Sequence, residues 1–226
     1  MANILLIREN DSNDIAWRPT MKDLDLTGLV SARICHDLAS PIGALVNGAD
    51  LISELEPGTA ADELALVAQS ARRAAAILKF HRLAFGSTGD AEARMSHREL
   101  HSRVEQVLTS PRVSLEWEPA ENGEISVPAA RLAALMLLTA RAALGRGGVL
   151  AMIPGSKRDL SMVVRATGPQ IRLTNEQRRY LAGDLDADLP SRQVEFALMV
   201  PVARHAGAQV RLDVSETALT LEAAPV

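Results

Sequence analysis

The sequence predicts an α+β protein in which an N-terminal helical hairpin precedes a mixed domain of helices and strands. Two long segments with helical periodicity come first, at 23–55 and 60–85. A stretch rich in glycine and serine at 86–90 then indicates a linker. Beyond it, short strand-like runs are interleaved with helical ones. We therefore expect three parts: an N-terminal extension at 1–22, a hairpin domain at 23–86 and a second domain at 91–226.

The composition is typical of a soluble globular protein. Of the 226 residues, 47% are hydrophobic and 23% are charged, and the chain is long enough for one large or two small cores. The net charge of −4 argues against a protein that binds nucleic acid through phosphate contacts. Cys35 is the single cysteine, which excludes an intrachain disulfide and suits a reducing compartment. The first residues are interrupted by charge too soon for a signal peptide or a membrane span, so we expect a cytoplasmic protein without a membrane partner.

The first helix is amphipathic and carries a histidine opposite its apolar stripe. Helical spacing predicts that His36 faces outward, with Arg33 and Ser40 as its polar neighbours. Pro41 removes one backbone hydrogen bond and should bend the helix one turn beyond His36. A small, polar surface around an exposed imidazole indicates a nucleophile that another molecule approaches closely. The apolar stripe consists of Ile34, Leu38, Ile42, Leu45, Ala49 and Ile52.

The second helix has an apolar face that is narrow and rich in alanine. Two antiparallel helices cannot enclose a core between them, and the economical solution is for two chains to pair their hairpins in a four-helix bundle. We therefore expect a homodimer. The residues of this face are Leu64, Val67, Ala71, Ala74, Ala75, Leu78 and Leu83.

The second domain should place helices on one face of a mixed sheet. Its longest helix is strongly apolar, with Pro128 in the first turn and Gly145 at the end. The sequence closes with a predicted hairpin of two strands. Helices are expected at 96–108, 128–144, 175–181 and 191–206, and strands at 113–117, 125–127, 148–153, 160–166, 209–214 and 218–222.

The segment His36-Asp37-Leu38-Ala39-Ser40-Pro41 resembles the phosphoacceptor box of histidine-kinase dimerisation domains: a histidine, an acid, an aliphatic residue, two variable positions and a proline. With the hairpin, linker and mixed domain in this order, residues 23–226 resemble ChpT-type histidine phosphotransferases of alphaproteobacterial phosphorelays. The resemblance implies a dimeric four-helix bundle followed by a degenerate ATPase-like sandwich of the Bergerat type.

The resemblance also shows where the second domain departs from a kinase. Thr139 stands where the kinase domain would carry its Mg²⁺-binding asparagine. The adenine-recognising Asp-x-Gly-x-Gly box is replaced by Thr167-Gly168-Pro169 after a strand. Gly145-Arg146-Gly147-Gly148 lacks the helix-opening context of a phosphate loop and fits a helix-to-strand turn. We therefore expect no ATP and no other cofactor on this chain.

The resemblance implies roles for the residues around the histidine. His36 would accept a phosphoryl group from the receiver domain of an upstream hybrid histidine kinase and pass it to downstream response regulators. Asp37 would orient the imidazole, Arg33 would offset the phosphate charge, and Ser40 would contact the phosphoryl group. The Mg²⁺ would belong to the receiver domain, and this chain would hold no metal. A docking surface for the receiver is expected at Ala44, Asn47, Gly48 and Leu51.

Two alternatives stay open from the sequence. One is an ATP-dependent histidine kinase without a sensor domain, and the other is a non-enzymatic dimeric scaffold of a two-component system. His97 and His101, with Glu105 one turn further, have the spacing of a metal site on one helix face, but no fourth ligand is evident. His81 belongs to no recognisable motif.

Overall fold

The structure is a computed structural model that describes residues 5–6, 21–55, 59–86, 92–118, 123–155, 159–183 and 189–226. Most of the expected N-terminal extension and the expected linker, apart from Gly86, lie outside these ranges. The described helices are α1 (Met21–Glu54), α2 (Ala61–Phe85), α3 (His97–Leu108), α4 (Val127–Ala143), α5 (Asn175–Leu181) and α6 (Val194–His205). The described strands are β1 (Leu5–Leu6), β2 (Arg94–Ser96), β3 (Val113–Trp117), β4 (Glu124–Ser126), β5 (Gly148–Pro154), β6 (Met162–Thr167), β7 (Ala208–Val214) and β8 (Ala218–Pro225).

Helices α1 and α2 form the expected antiparallel hairpin. The first helix continues through Pro41, which is buried and has no N–H to donate to the carbonyl of Asp37. Close packing further along depends on Gly48, where an added Cβ would lie 2.5 Å from Cγ2 of Val67 on α2. The small residue therefore sets how closely the two helices approach in this part of the hairpin.

The second domain is built on a six-stranded sheet in the order β1, β7, β8, β6, β5, β3. Strand β3 pairs parallel to β5, and all the other neighbours in this sheet are antiparallel. Strands β2 and β4 form a separate antiparallel pair. At one edge of the large sheet, Leu5–Leu6 pairs with Leu212 and Arg211, a contact not expected from the sequence.

One core joins the second domain to the end of the hairpin. Burial alternates along β6, as expected for a sheet with helices on one face, and α4 and α6 pack on that sheet. Twelve of the seventeen residues of α4 are buried. Phe80, Leu83 and Ala84 of α2 belong to the same cluster as the interior of α4. The C-terminal part of α2 is thus held firmly against the second domain, and this packing positions the hairpin.

Residues 145–148 form the expected helix-to-strand turn between α4 and β5. Gly147 has φ of 96° and Gly148 has φ of 145°, a region in which side chains are rarely tolerated. A Cβ on Gly148 would also lie 2.1 Å from the carbonyl oxygen of Thr167. The glycines therefore allow two backbone segments to touch while the chain changes from helix to strand.

The segment Asp25–Glu54 of α1 is long and apolar enough to cross a membrane by length and composition alone, with a mean hydropathy of 1.2. Only 6% of its most apolar stretch is buried within the chain. The polar residues Arg33, His36 and Asp37 lie along the middle of this helix. Such one-sided polarity is typical of a helix that packs against protein on its apolar side.

Candidate functional site

The candidate site is an open groove of about 500 Å³ between the hairpin and the second domain. The exposed side of α1 forms one wall, and α2 forms the floor. The C-terminal ends of α3 and α4 and the start of α6 close the other side. The polar residues that line the groove are Arg33, His36, Asp37, Ser40, Arg73, His81, Arg141, Arg192 and Glu195.

His36 is exposed to the groove and anchored on one side of its ring. Its side chain is 47% exposed, and its Nδ1 lies 3.0 Å from Oδ1 of Asp37. An ionised carboxylate can only accept a hydrogen bond, so Nδ1 carries the hydrogen and donates it. In this tautomer Nε2 keeps its lone pair, which is the electron pair required of a nucleophile.

Asp37 is the centre of the hydrogen-bonded network. Its Oδ2 accepts hydrogen bonds from Nε2 of His81 and from Nε of Arg33, each at 2.9 Å. Burial raises the pKa of Asp37, but the hydrogen bonds from His81, His36 and Arg33 outweigh burial and hold the pKa well below its usual range. Asp37 is therefore a carboxylate throughout the neutral range and cannot itself donate a proton there.

Arg33 connects this network to the second domain. Its Nη1 lies 3.1 Å from Oε2 of Glu195 on α6, and it also donates to the backbone carbonyl of Arg192. Glu195 is 1% exposed, and burial raises its pKa to about 7 although the nearby Arg33 opposes the shift. Burial lowers the pKa of Arg33, but the two carboxylates outweigh it and the net shift is upward. One guanidinium thus joins a carboxylate of α1 to a carboxylate of α6.

The groove is positively charged although the chain carries a net charge of −4. Arg33, Arg73, Arg141 and Arg192 line it, against the two carboxylates of Asp37 and Glu195. Arg73 donates to the carbonyls of Gln106 and Val107, and Arg141 donates to that of Leu108. Both arginines thus provide hydrogen bonds to carbonyls at the end of α3 that have no partner within the helix. These contacts hold the arginines in place beside the groove, where they favour an anion.

The structure brings together the four residues expected at the phosphoacceptor. Ser40 lines the groove with His36, Asp37 and Arg33. Arg33 also makes contacts that were not expected, since its Nε and Nη1 donate to Asp37, Glu195 and the Arg192 carbonyl.

The expected docking residues separate into two groups. Ala44, Asn47 and Leu51 are exposed on α1, as required of a docking surface. Gly48 is half-buried, and it faces Val67 of α2 with no room for even a methyl group. Docking at Gly48 stays a prediction, and the structure adds that its small size serves helix packing.

Sequence reasoning missed His81, Glu195 and Arg192. His81 is not isolated as its sequence neighbourhood suggested, because the fold brings it to Asp37 on the other helix. A signal was present: His81 lies four residues after Ile77 on the side of α2 that contacts α1, where an apolar residue would be expected. No comparable signal marks Glu195, whose neighbours Val194 and Phe196 are buried core residues.

The residues of the second domain that depart from the kinase pattern are buried or closely packed against neighbouring backbone. Thr139 is fully buried, and its hydroxyl has no hydrogen-bond partner within the described part of the chain. Gly168 lies so close to Gly147 that a Cβ would be 2.4 Å from the Gly147 carbonyl oxygen. His101 packs edge-on against Trp117, and the described ranges contain no group of three His, Cys, Asp or Glu residues suited to a metal.

Comparison with known proteins identifies the family. A family model for the histidine phosphotransferase C-terminal domain matches residues 97–218, more than half of the chain. The chain belongs to the histidine phosphotransferase family. A relative in this family, protein phosphotransferase ChpT of Brucella abortus (strain 2308), is 35% identical over 157 residues, which are 68% of this chain and 73% of the relative. A solved structure of a bacterial phosphotransferase is 28% identical with a TM-score of 0.73, and the match covers 91% of this chain and 98% of that one.

Membership of the histidine phosphotransferase family confirms three expectations from the sequence. The resemblance to this family, the α+β fold with a helical hairpin, and the activity of a phosphorelay histidine phosphotransferase are all supported.

Proposed function

We propose that His36 carries the phosphoryl group and that Nε2 is the atom that bonds to phosphorus. The Nε2 lone pair attacks the phosphorus of an aspartyl phosphate on a receiver domain, and the aspartate leaves as a carboxylate. In the second step the aspartate of another receiver attacks the phosphohistidine, and the imidazole leaves with its lone pair restored. The observation that carries this proposal is the 3.0 Å contact between Nδ1 of His36 and Asp37, which leaves Nε2 as the nucleophilic nitrogen.

The charges of the groove suit a phosphoryl group in transit. Phosphoryl transfer depends mainly on alignment and on stabilisation of the charge on the phosphoryl oxygens. Arg73, Arg141 and Arg192 lie around the same groove as His36, and Ser40 adds a hydroxyl. We assign to the arginines the role of offsetting phosphate charge and to Ser40 a direct hydrogen bond to a phosphoryl oxygen.

Receiver domains of a two-component system are the proposed partners, both upstream and downstream. On α1, the surface available to them continues along the helix beyond His36 through Ala44, Asn47 and Leu51, of which Leu51 is 56% exposed. We assign the Mg²⁺ of the reaction to the receiver, because this cation needs carboxylate ligands and Asp37 is committed to three hydrogen-bond donors.

The phosphoryl group is proposed to come from a protein and not from ATP. In the kinase domains that the second domain resembles, an asparagine on this long helix would hold Mg²⁺, but Thr139 stands at that position and its hydroxyl is buried. Nucleotide specificity also requires precisely placed polar groups in a pocket. At the position of the adenine box, Gly168 is in close contact with the backbone of Gly147.

A homodimer completes the proposal, with the hairpins paired in a four-helix bundle. Large apolar side chains are exposed on both helices, with Val46 at 55% and Leu78 at 54%. Helical spacing places Ile42 and Val46 on the same side of the hairpin as Leu64 and Leu78, and His36 on the other side. A two-fold symmetric contact would cover identical faces of two copies and leave both histidines open. We place this dimer in the cytoplasm, where the single Cys35 would remain reduced.

The decisive experiment follows labelled phosphate from a phosphorylated receiver domain to wild type, His36→Ala and His205→Ala. His205 is a matched control because it is an exposed histidine at the end of α6. We expect label on wild type and on His205→Ala, with transfer onward to a second receiver, and none on His36→Ala. Label that survives on His36→Ala would place the acceptor elsewhere.

The same assay separates the two alternative functions. Labelling of His36 directly from ATP would identify an ATP-dependent kinase, and a parallel ATP titration should therefore show no binding. A protein that accepts no label from any tested receiver, yet still binds receivers, would be a scaffold.

A further inference from the structure

His81 and Glu195 stand at the two ends of a chain of contacts that passes through Asp37. His81 donates to Oδ2 of Asp37 at 2.9 Å, and Arg33 donates to the same oxygen at 2.9 Å while it also contacts Glu195. The other oxygen of Asp37 remains for His36. His81 of α2 therefore binds the Asp37 carboxylate directly, and Glu195 of α6 supports it through Arg33. Both sets of contacts engage Oδ2, so that Oδ1 is the oxygen that contacts His36.

The burial and ring packing of His81 indicate that its role is the contact with Asp37. It is 1% exposed, and its Nδ1 has no hydrogen-bond partner among the described residues. A buried polar atom without a partner destabilises a fold, and an aliphatic side chain at this position would avoid that loss. The ring is also fixed in direction, because it stacks on Phe85 at 5.1 Å and 17° and meets Phe80 edge-on at 5.9 Å. Its Nε2 is thereby aimed at Asp37.

Glu195 provides the corresponding support from the second domain. It is buried, and its carboxylate is within 3.1 Å of Nη1 of Arg33. The carbonyl of Arg192, one turn earlier, accepts from the same guanidinium nitrogen. These two acceptors fix the plane of the Arg33 guanidinium and hence the direction in which its Nε points toward Asp37.

We propose that His81 and Glu195 are positioning residues for phosphotransfer, which act through Asp37 to hold His36 in the tautomer with a free Nε2. The proposal rests on the function assigned to His36 above. Neither residue touches the phosphoryl group. The second domain, for which we propose no role in ATP binding, contributes to the reaction through Glu195, which holds the Arg33 side chain that in turn holds the carboxylate of Asp37.

The first experiment compares His81→Phe with His81→Gln. Phenylalanine keeps the aromatic packing but donates nothing to Asp37, whereas the amide of glutamine can donate from near the position of Nε2. We expect the rate constant of phosphoryl transfer to His36 to fall about 10-fold in His81→Phe and to recover to within about 3-fold of wild type in His81→Gln. Equal rates in all three proteins, or equal losses in both variants, would overturn the proposal for His81.

The second experiment reads the tautomer of His36 directly, by ¹⁵N NMR of the imidazole at about pH 8, where an ordinary histidine is neutral. Wild type should show hydrogen on Nδ1. His81→Phe and Glu195→Ala should both show a mixture of the two neutral tautomers, while backbone spectra remote from the groove stay unchanged. A His36 ring that keeps hydrogen on Nδ1 in both variants would overturn the proposal.

The two experiments fail in distinguishable ways. The NMR measurement needs no receiver and no phosphate, so it tests the positioning network even if His36 were not the acceptor. The His36→Ala labelling assay tests the acceptor even if the network had no influence on it.

Discussion

The hairpin and the second domain use their apolar residues in opposite ways. In α4, twelve of seventeen residues are buried within a single chain. In α1, Pro41 is the one fully buried residue among 25–54, the part of this helix whose side chains the structure describes. The second domain therefore encloses its own core, whereas most side chains of α1 are not buried within the chain. We assign the two open sides of the hairpin to a second copy and to receiver domains.

The largest effect is expected from substitutions on the exposed apolar face of the hairpin. Val46→Glu combined with Leu78→Glu puts four carboxylates into the proposed interface of the dimer. Like charges brought together at an interface cost several kcal/mol, so we expect dissociation to increase by at least about 100-fold. Sedimentation velocity across a concentration series measures this change.

Leu51→Glu is the matched control for the dimer prediction. Leu51 is as exposed as Val46, but it lies on the side of α1 that carries His36. This variant should remain dimeric and should bind receivers less tightly. A dimer that persists at micromolar concentration in the double variant would show that the apolar faces do not pair.

The next largest effect tests how well the core of the second domain is packed. Leu135 on α4 is fully buried, and Leu135→Ala should lower the free energy of unfolding by about 2–5 kcal/mol through lost burial and a residual cavity. Leu66→Ala is the control, since Leu66 is exposed on α2 and its truncation should cost less than about 0.5 kcal/mol. Urea unfolding followed by circular dichroism gives both values. Similar losses of unfolding free energy at Leu135 and Leu66 would contradict the proposed difference between a packed second domain and an open hairpin.

Local patterns predicted the elements well because each carries its own signal. The proline in the first turn of α4 marks the start of that helix, and the strand-like run predicted at 160–166 lies within two residues of β6. Helix α5 has a capping box between Thr174 and Gln177, and its predicted range is the observed one. The pairing of Leu5–Leu6 with β7 was missed because it depends on residues some 200 positions away. Two leucines alone do not indicate which strand they will pair with.

The site was predictable only on the helix that carries it. Helical spacing on α1 alone placed Arg33 and Ser40 beside His36, and the resemblance of the histidine segment to a phosphoacceptor box added Asp37. His81 is brought to Asp37 by the packing of α2 against α1, and local sequence does not define that packing. Gly48 shows the same limit, because a small residue on a helix suits docking and packing equally well until Val67 is seen opposite it.

A smaller effect tests the packing inside the hairpin with two glycines of the same helix. Gly48→Ala would place a methyl group against Val67, and overpacking of this kind costs about 1–3 kcal/mol, partly offset by the better helix propensity of alanine. Gly43→Ala meets nothing within 4 Å and should stabilise the helix by about 0.5–1 kcal/mol. Thermal unfolding should therefore shift in opposite directions, and Val67→Ala should relieve Gly48→Ala. A shift in the same direction for both glycines would mean that the helices do not pack as closely as Gly48 implies.

The smallest effect concerns Glu195, whose contact with Arg33 joins the two regions. Burial raises its pKa from an ordinary 4.5 to about 7, so between these values the folded protein binds more protons at this group than the unfolded chain does. The contribution of Glu195 to stability is then fully present below about pH 4.5 and is lost as the pH rises through about 7. The slope is at most about 1.4 kcal/mol per pH unit.

The pH dependence of Glu195 is isolated by comparison with Glu195→Gln, measured by thermal unfolding at about pH 5.5 and about pH 6.5. The charged groups that face Glu195 are Arg33 and Asp37, and both keep their charge in this interval because the pKa of Asp37 is lowered and that of Arg33 is raised. The stability of wild type relative to Glu195→Gln should fall between the two pH values. A relative stability that rises instead would mean that Arg33 holds Glu195 ionised, and the link between hairpin and second domain would then be a permanent ion pair.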